Sequence, residues 1–532
     1  MRRRTFYITT PIYYVNDQPH IGHCYTTLLA DAAARFWRLA GRDVFFLTGT
    51  DEHAEKVVAA ARERGLSPQA WADRNAQAFQ RAFAELGASH DDFLRTSQAR
   101  HKERVGRYIQ ELLDKGEIEL GQYVGWWDAS QEEYVTDTVA REHDFTSPVT
   151  GKPLVKRSEE NYFFRLSKHA ERLAAHIEAH PTFVAPQARR NEVLGRIRQG
   201  LQDVPVSRKV QSGDDADWGV RMPGDASHRV YVWIDALFNY LSAVDTEERS
   251  VYWPPSVNLV GKDILWFHAV IWPALLMAMD RPLPEMVYAH SYWIREGRKM
   301  SKSLGNFLDM PTLRSYVARY GLDAVRWFLL TQGPLGAADA DFAHAKFVEV
   351  YNADLANGVG NTFSRTANMI GRYFDGAIPA SASAEPVMGF DLQAEAAQAV
   401  GRAVDAMERF EIDRALGEGL ALARRVDAFI HATEPFKLAR EPARREDVAA
   451  ILTHAAEALR IASLLLQPAM PCAMAELQRR LGVEQAAGAA SLEERAAWGG
   501  LKAQARVEKG EPLFPRADPD EPAPTPLGEA QR

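Results

Sequence analysis

Two short stretches, far apart in the chain, carry residue types suited to handling a phosphate in flight. The first, His20-Ile21-Gly22-His23, follows a β-branched apolar run from Phe6 to Thr10 and precedes Leu29, Ala33, Phe36, Trp37 and Ala40, which recur at helical spacing. The histidines therefore stand at a strand-to-helix turn. Helix N-termini present unpaired N–H groups and a partial positive charge, which suits phosphate, and Gly22 lets a bulky ligand such as a nucleotide come close to the backbone. Imidazole N–H donors aimed at a phosphate in transfer stabilise its developing charge. Two plainer readings stand beside this one: capping or surface histidines, or a metal pair, for which no Cys or carboxylate partner is evident. The second stretch, Lys299-Met300-Ser301-Lys302-Ser303, offers two ammonium groups on a loop of small residues that can close on a pyrophosphate; alone it also reads as a solvated basic turn.

These residues need a scaffold that brings distant segments together. Residues 44–48 form a fully apolar strand that runs into Gly49-Thr50-Asp51-Glu52-His53, placing polar groups at a strand's carboxyl end, where open α/β sheets bind ligands. Similar runs at 230–235, 257–263 and 286–290 also end in polar residues. Alternation of at least five such strands with helical segments predicts an α/β fold, a doubly wound, Rossmann-like parallel sheet. From about residue 116 the texture shifts to short strands and turns, which predicts a small inserted β-rich domain. After Thr312 nothing reads as a strand, and from Phe342 to about Leu481 helical periodicity indicates a C-terminal α-helical bundle. The expected divisions are 1–115 and 229–280 for the two halves of the sheet domain, 116–228 for the insertion, 281–341 for the lysine-loop region, 342–515 for the bundle, and 516–532 for a trailing, Pro-rich and charged tail.

Composition narrows the setting. The chain has 532 residues, 46% apolar and 25% charged, which is the balance of a folded protein with several domains. A net charge of −8 means that any nucleic-acid site must be a local face. Two cysteines, Cys24 and Cys472, exclude a disulfide framework within the chain and fit a reduced, cytoplasmic setting. The longest apolar stretch, around 264–279, is interrupted by His268 and Trp272-Pro273, and no membrane partner is expected.

The histidine and lysine motifs together resemble the signature pair of class I aminoacyl-tRNA synthetases. Pro11-Ile12-Tyr13-Tyr14-Val15-Asn16, Gly49-Thr50-Asp51-Glu52-His53, Glu160-Asn161-Tyr162-Phe163-Phe164, Val232-Trp233-Ile234-Asp235-Ala236-Leu237 and Gly261-Lys262-Asp263-Ile264 follow in the order of the methionyl-tRNA synthetase family. The likeness spans roughly residues 5 to 515. It implies activation of methionine by ATP with Mg2+ and transfer of the methionyl group to the terminal adenosine of tRNA(Met). It also implies that His20, His23, Lys299 and Lys302 stabilise the transition state, with Gly22 and Ser301 joining them at ATP. Asp51, Ile12, Tyr14, Trp233, Leu237, Tyr240, Asp263 and His268 would hold methionine, though spacing alone would place Trp233 and Tyr240 in ordinary core. A hydroxyl and an imidazole near the thioether would help to reject apolar isosteres. Asn357, Asn361 and Arg365, otherwise a polar helix stripe, would face the anticodon together with Phe436, which stands where the family usually has Trp.

The insertion departs from relatives that carry cysteine-based zinc knuckles: its neighbourhood reads Trp127-Asp128-Ala129-Ser130-Gln131-Glu132, so no structural zinc is expected and Trp126, Trp127 and Tyr134 are expected to pack the knuckle instead. The chain ends before any additional tRNA-binding domain, and a monomer is expected. A sister synthetase for leucine, isoleucine, valine or cysteine and a non-catalytic RNA-binding relative are the competing readings. Chain length, missing thiolates and intact chemistry-bearing residues argue against them.

Overall fold

The computed structural model describes residues 5–128, 133–135, 137–210, 218–300, 307–380, 386–483 and 491–527. Its centre is a six-stranded parallel sheet made of β1 (Thr5–Tyr14), β2 (Asp43–Asp51), β3 (Asp92–Arg95), β4 (Val184–Ala185), β5 (Val257–Gly261) and β6 (Val287–His290), in the order β3-β2-β1-β5-β6-β4. Chain order reverses at β1, which pairs with β2 on one side and β5 on the other. Such a switch point opens a crevice at the carboxyl ends of the strands.

β1 is buried on both faces because successive side chains point to opposite sides of a pleated strand. Phe6 and Ile8 join the core beneath α1 (Ile21–Leu39), with Phe6 5.7 Å from the Trp37 ring. Tyr7 joins the opposite core with Phe45, Ile109 and Trp272, and its hydroxyl donates to the Tyr240 carbonyl at 2.8 Å. Pro11 has no N–H for a ladder, and the β1–β2 register slips between Thr9 and Ile12. Beyond the slip, Ile12 pairs with Gly49 and Tyr14 with Asp51, which sets the floor of the crevice.

The expected strand at 230–235 is corrected: the chain is a strand only through Asp225–Val230, in a small antiparallel sheet, and Val232–Leu237 is a helix. Its β-branched residues are buried in the second core, and that packing overrides strand propensity. The sheet draws β4 from within 116–228 and β6 from within 281–341, so it extends beyond the two segments expected to hold it. A two-residue strand carries no readable period. The insertion is β-rich, with an antiparallel sheet of Ile118–Asp128, Glu133–Val135, Val155–Phe164 and Val204–Pro205. One short strand, Ala340–Asp341, does follow Thr312 and pairs with Trp293–Arg295.

The helical region includes Asn361–Tyr373, Leu392–Glu408, Ile412–Thr433 and Arg445–Leu466, and its apolar core is continuous with the one under α1. At the junction the buried Arg326 guanidinium bridges Asp31 of α1 at 2.6 Å and donates to the carbonyls of Leu86, Pro468 and Ala469. Among the described residues one helix, Pro442–Leu466, is long and apolar enough to cross a membrane, but 89% of its apolar window is buried inside the protein; the segment near residue 270 forms a shorter apolar helix, Phe267–Ala278. The tail is also corrected. Residues 516–527 do not trail, because Asn352 exchanges hydrogen bonds with the Ala517 backbone, while Arg319 and His344 reach the Pro522 and Glu521 carbonyls. Pro-rich backbone leaves its carbonyls free to accept, and these side chains take them up.

Candidate active site

A cavity of about 830 Å3 opens at the carboxyl ends of β1, β2, β5 and β6. At one end the α1 N-terminus presents the two histidines. The Gly22 N–H donates to His20 Nδ1 at 3.0 Å and the His20 N–H to His23 Nδ1 at 3.3 Å, and the rings stack with centroids 3.8 Å apart. A backbone N–H can only donate, so both Nδ1 atoms are acceptors and each neutral ring carries its proton on Nε2. Burial lowers the pKa of His20 to about 4 and pushes His23 well below its ordinary value, with the His20 charge adding to the latter. The pair thus offers two N–H donors without carrying charge. The expected capping role and the expected phosphate role are compatible: one nitrogen of each ring caps, the other is available.

Gly22 also has a packing reason. A Cβ there would lie 2.9 Å from His20 Cε1 and 3.1 Å from its Nδ1, so the glycine makes room for the folded-back His20 ring. Phe307 closes over His20 at 4.8 Å, and the Ile21 N–H donates to the Leu308 carbonyl, tying the segment after the lysine loop to this turn.

The other end is a cage of rings. Tyr14 meets Trp233 edge-on at 5.7 Å, and Trp233 stacks on Phe267 at 4.4 Å. Ile12, Leu237, Tyr240 and His268 also line this space, and Asp51, buried at the end of β2, supplies a carboxylate. His268 Nδ1 faces the Ile264 carbonyl at 2.9 Å and must donate to it, so Nε2 accepts from the Tyr240 hydroxyl at 2.7 Å. Burial lowers the His268 pKa to about 4. The hydroxyl and imidazole expected to face a substrate are therefore engaged with each other. Asp263 stands on the β5 side, folded back over Gly261, where a Cβ would come within 2.6 Å of Oδ1.

A support network lies behind the cage. Asp235 accepts from His53 Nδ1 at 2.6 Å and His101 Nε2 at 3.0 Å, and His101 Nδ1 lies 2.8 Å from the Ser242 hydroxyl. Burial opposes ionisation of Asp235, but the histidine charges and hydrogen bonds outweigh it and hold the carboxyl well below the usual carboxylate range. The network locks the turn after Asp51 to the helix that carries Trp233.

Comparison with known proteins agrees with this geometry. A family model described as class I tRNA synthetases (M) matches residues 6–143 and 141–367. The methionine–tRNA ligase of Bacillus subtilis (strain 168) is 42% identical, over 97% of this chain and 78% of its own length. That of Caldanaerobacter subterraneus subsp. tengcongensis is also 42% identical, over 97% and 79%. The structure of Mycobacterium tuberculosis methionyl-tRNA synthetase in complex with methionyl-adenylate superposes with a TM-score of 0.88 at 35% identity, covering 96% of this chain and all of that one. The chain belongs to the methionyl-tRNA synthetase family.

Within this family fold, one cavity gathers His20, Gly22 and His23 with Ile12, Tyr14, Asp51, Trp233, Leu237, Tyr240, Asp263 and His268. The Lys299 side chain and all of Ser301 and Lys302 lie outside the described residues. In the helical region Asn357 and Asn361 are exposed, Arg365 is half-buried and ion-paired to Asp427, and Phe436 is 40% exposed. Asn357 lies in the π-helical stretch Tyr351–Gly360, and Asn361 and Arg365 lie in the α-helix Asn361–Tyr373 that follows it.

In the knuckle, Trp126 packs 4.5 Å from Phe145 and its indole N–H donates to Asp137 at 2.9 Å, while Arg208 lies over Trp127 at 4.8 Å. The Tyr134 side chain and Gln131 are outside the described residues. Among the described residues, no group of three or more His, Cys, Asp or Glu is placed to hold a metal.

Sequence reasoning did not single out Phe267, Phe307, His101 or the Thr26–His290 pair, whose Oγ1 and Nε2 are 2.7 Å apart in the cavity wall. His290 had a signal as the polar end of a strand. The others sit in plain apolar or helical runs.

Proposed function

We propose that this chain is a methionine–tRNA ligase whose one cavity performs both half-reactions. In the first, an oxygen of the methionine carboxylate attacks the α-phosphorus of ATP, supplied as its Mg2+ complex, and the bond to the bridging oxygen breaks to release pyrophosphate. Asp51 holds the substrate ammonium, and Ile12, Tyr14, Trp233, Leu237, Tyr240 and His268 enclose the thioether. A polarizable sulfur against aromatic rings is worth about 0.3–1.5 kcal/mol per contact. Because Tyr240 donates to His268, selectivity in this reading comes from shape and ring contact more than from a donor aimed at sulfur. Asp263, which lines the same cavity with Gly261 and Tyr292, completes the set that holds methionine in this proposal. The His20 and His23 Nε2–H groups stabilise charge developing on the α-phosphate, and Lys299, Ser301 and Lys302 complete the clamp.

In the second half-reaction a hydroxyl of the terminal adenosine of tRNA(Met) attacks the methionyl carbonyl carbon. The carbon–oxygen bond to AMP breaks, and the hydroxyl proton leaves with the phosphate group. Asn357, Asn361, Arg365 and Phe436 read the anticodon in the same proposal, and the protein acts as a cytoplasmic monomer without structural zinc. A two-fold mass in solution would overturn the monomer, and stoichiometric zinc in the purified chain would overturn the last point.

The observation that carries the reading is the meeting, in one cavity, of a neutral two-histidine helix N-terminus with an aromatic cage and a buried carboxylate. ATP–pyrophosphate exchange tests it. Exchange is expected with methionine and not with leucine, isoleucine, valine or cysteine; no exchange with any amino acid would leave an RNA-binding protein instead.

A further inference from the structure

The cavity mouth holds a cation to which the proposed function has so far assigned no role. Arg196 lies near the end of the Gln187–Arg198 helix, in the inserted region, and lines the cavity with Lys56 and the knuckle tip residue Val149, itself 68% exposed. Its guanidinium carbon sits 3.9 Å from the centroid of Trp266. Of the other arginines on that helix, Arg189 pairs with Glu192 at 2.8 Å and Arg198 with Glu178 at 2.7 Å, while Arg190 donates to the Ile177 and Glu178 backbone carbonyls. Arg196 is exposed and has no ion-pair partner among the described residues.

Stacking on an indole fixes the plane of a guanidinium while leaving its N–H edge open, an arrangement that suits bidentate contact with a phosphate. Trp266 is adjacent in sequence to Phe267, which stacks on Trp233, so the cation is mounted on the same ring assembly that forms the cage. Asp17, Asp51 and Asp263 line the cavity, and the whole chain carries a charge of −8. A polyanion entering such a cavity needs a local positive contact at the entrance. The histidine pair, in contrast, contacts Phe79 and Phe307 rather than the Trp266 rings.

From this juxtaposition we infer that Arg196, mounted on Trp266 at the cavity mouth, binds a phosphodiester of the single-stranded 3′ end of the tRNA as its terminal ribose enters. The inference rests on the ligase reading above and adds to it a residue that serves only the second half-reaction. ATP phosphate is the other source of the same chemistry, and the two separate by assay.

The test uses the full chain with methionine, ATP and tRNA(Met) transcript. Wild-type exchange and charging come first, and their failure would remove the ligase reading itself. With Arg196→Ala, exchange should stay within about twofold, while the KM for tRNA in charging should rise about 5–10-fold. The slope of log(kcat/KM) against log salt should become shallower by about 0.7, the value for one phosphate contact on a single strand. Arg196→Lys should restore the slope but only part of the affinity, because the point charge replaces a stacked fork. Equal loss of exchange and charging would assign the arginine to ATP and overturn the inference. Unchanged charging, or weaker charging with an unchanged salt slope in both variants, would overturn it as well.

Discussion

Replacing Gly22 by Ala separates the stability of the first helix from the aim of its histidines. The new Cβ would meet His20 Cε1 at 2.9 Å and Nδ1 at 3.1 Å, whereas unstrained contacts need about 3.5 Å or more, so the ring must move by about 0.5 Å. Moving it weakens the 3.0 Å bond from the Gly22 N–H and disturbs the 3.8 Å stack on His23. Loss of an N-cap costs roughly 0.5–2 kcal/mol, while Gly→Ala in a helix returns up to about 1 kcal/mol. The net change in stability is therefore small, and Tm should move by no more than about 4 °C. The effect on activity is much larger, because a displaced Nε2–H no longer points at the charge it stabilises. Loss of one such donor costs about 10²–10³ in kcat, or roughly 2.7–4 kcal/mol. Methionine-dependent ATP–pyrophosphate exchange, with Tm measured on the same preparation, reads both quantities. Exchange within threefold of wild type at unchanged Tm would refute the claim that the His20 ring is held in place for catalysis.

The buried histidines make stability depend on pH. His20 and His268 are lowered to about 4, whereas an unfolded histidine titrates near 6.5. Between those values the unfolded chain binds protons that the folded chain does not, so stability is full above about pH 6.5 and falls as pH drops towards 4. Urea midpoints should decline from pH 6.5 to 5, and a flat profile would contradict neutral burial. Tyr240→Phe removes the hydroxyl that satisfies His268 Nε2 and should destabilise by roughly 1–3 kcal/mol in urea unfolding; an effect below about 0.5 kcal/mol would mean that the imidazole finds another donor. Arg326→Ala leaves the Leu86, Pro468 and Ala469 carbonyls without this donor, while Asp31 keeps Arg35 and Ser89, and should cost about 1–3 kcal/mol, visible as a drop in Tm; a neutral substitution would show that the junction relaxes around the cavity.

Much of this protein was legible along the chain. Apolar strands ending in polar residues located β1, β2, β5 and β6, because a covered parallel strand must be apolar throughout while its carboxyl end meets ligand. The motif order around His20, Asp51, Trp233 and Gly261 named the family. Local pattern failed where the decisive contact was distant. Val232–Leu237 has β-branched residues yet is helical, since its burial in the second core outweighs propensity. β4 has two residues and therefore no period. The 516–527 segment looked unable to bury anything, but its backbone carbonyls are taken up by Arg319, Asn352 and His344.

Within the active site, sequence alone determined which residue types were available: two histidines at a strand–helix turn, a carboxylate after β2, rings enough for a cage. Tertiary structure decided how their protons are arranged. Whether an imidazole nitrogen donates or accepts depends on which folded group faces it: the nearby Ile264 carbonyl and the more distant Tyr240 hydroxyl for His268, and the N–H groups of their own turn for His20 and His23. The same holds for Arg196, one of several arginines on its helix, distinguished because Trp266 lies beneath it and, among the described residues, no carboxylate pairs with it. Charge, tautomer and aim are properties of an environment, and folding sets that environment both from the local turn, as for His20 and His23, and from segments brought together from afar, as for His268 and Arg196.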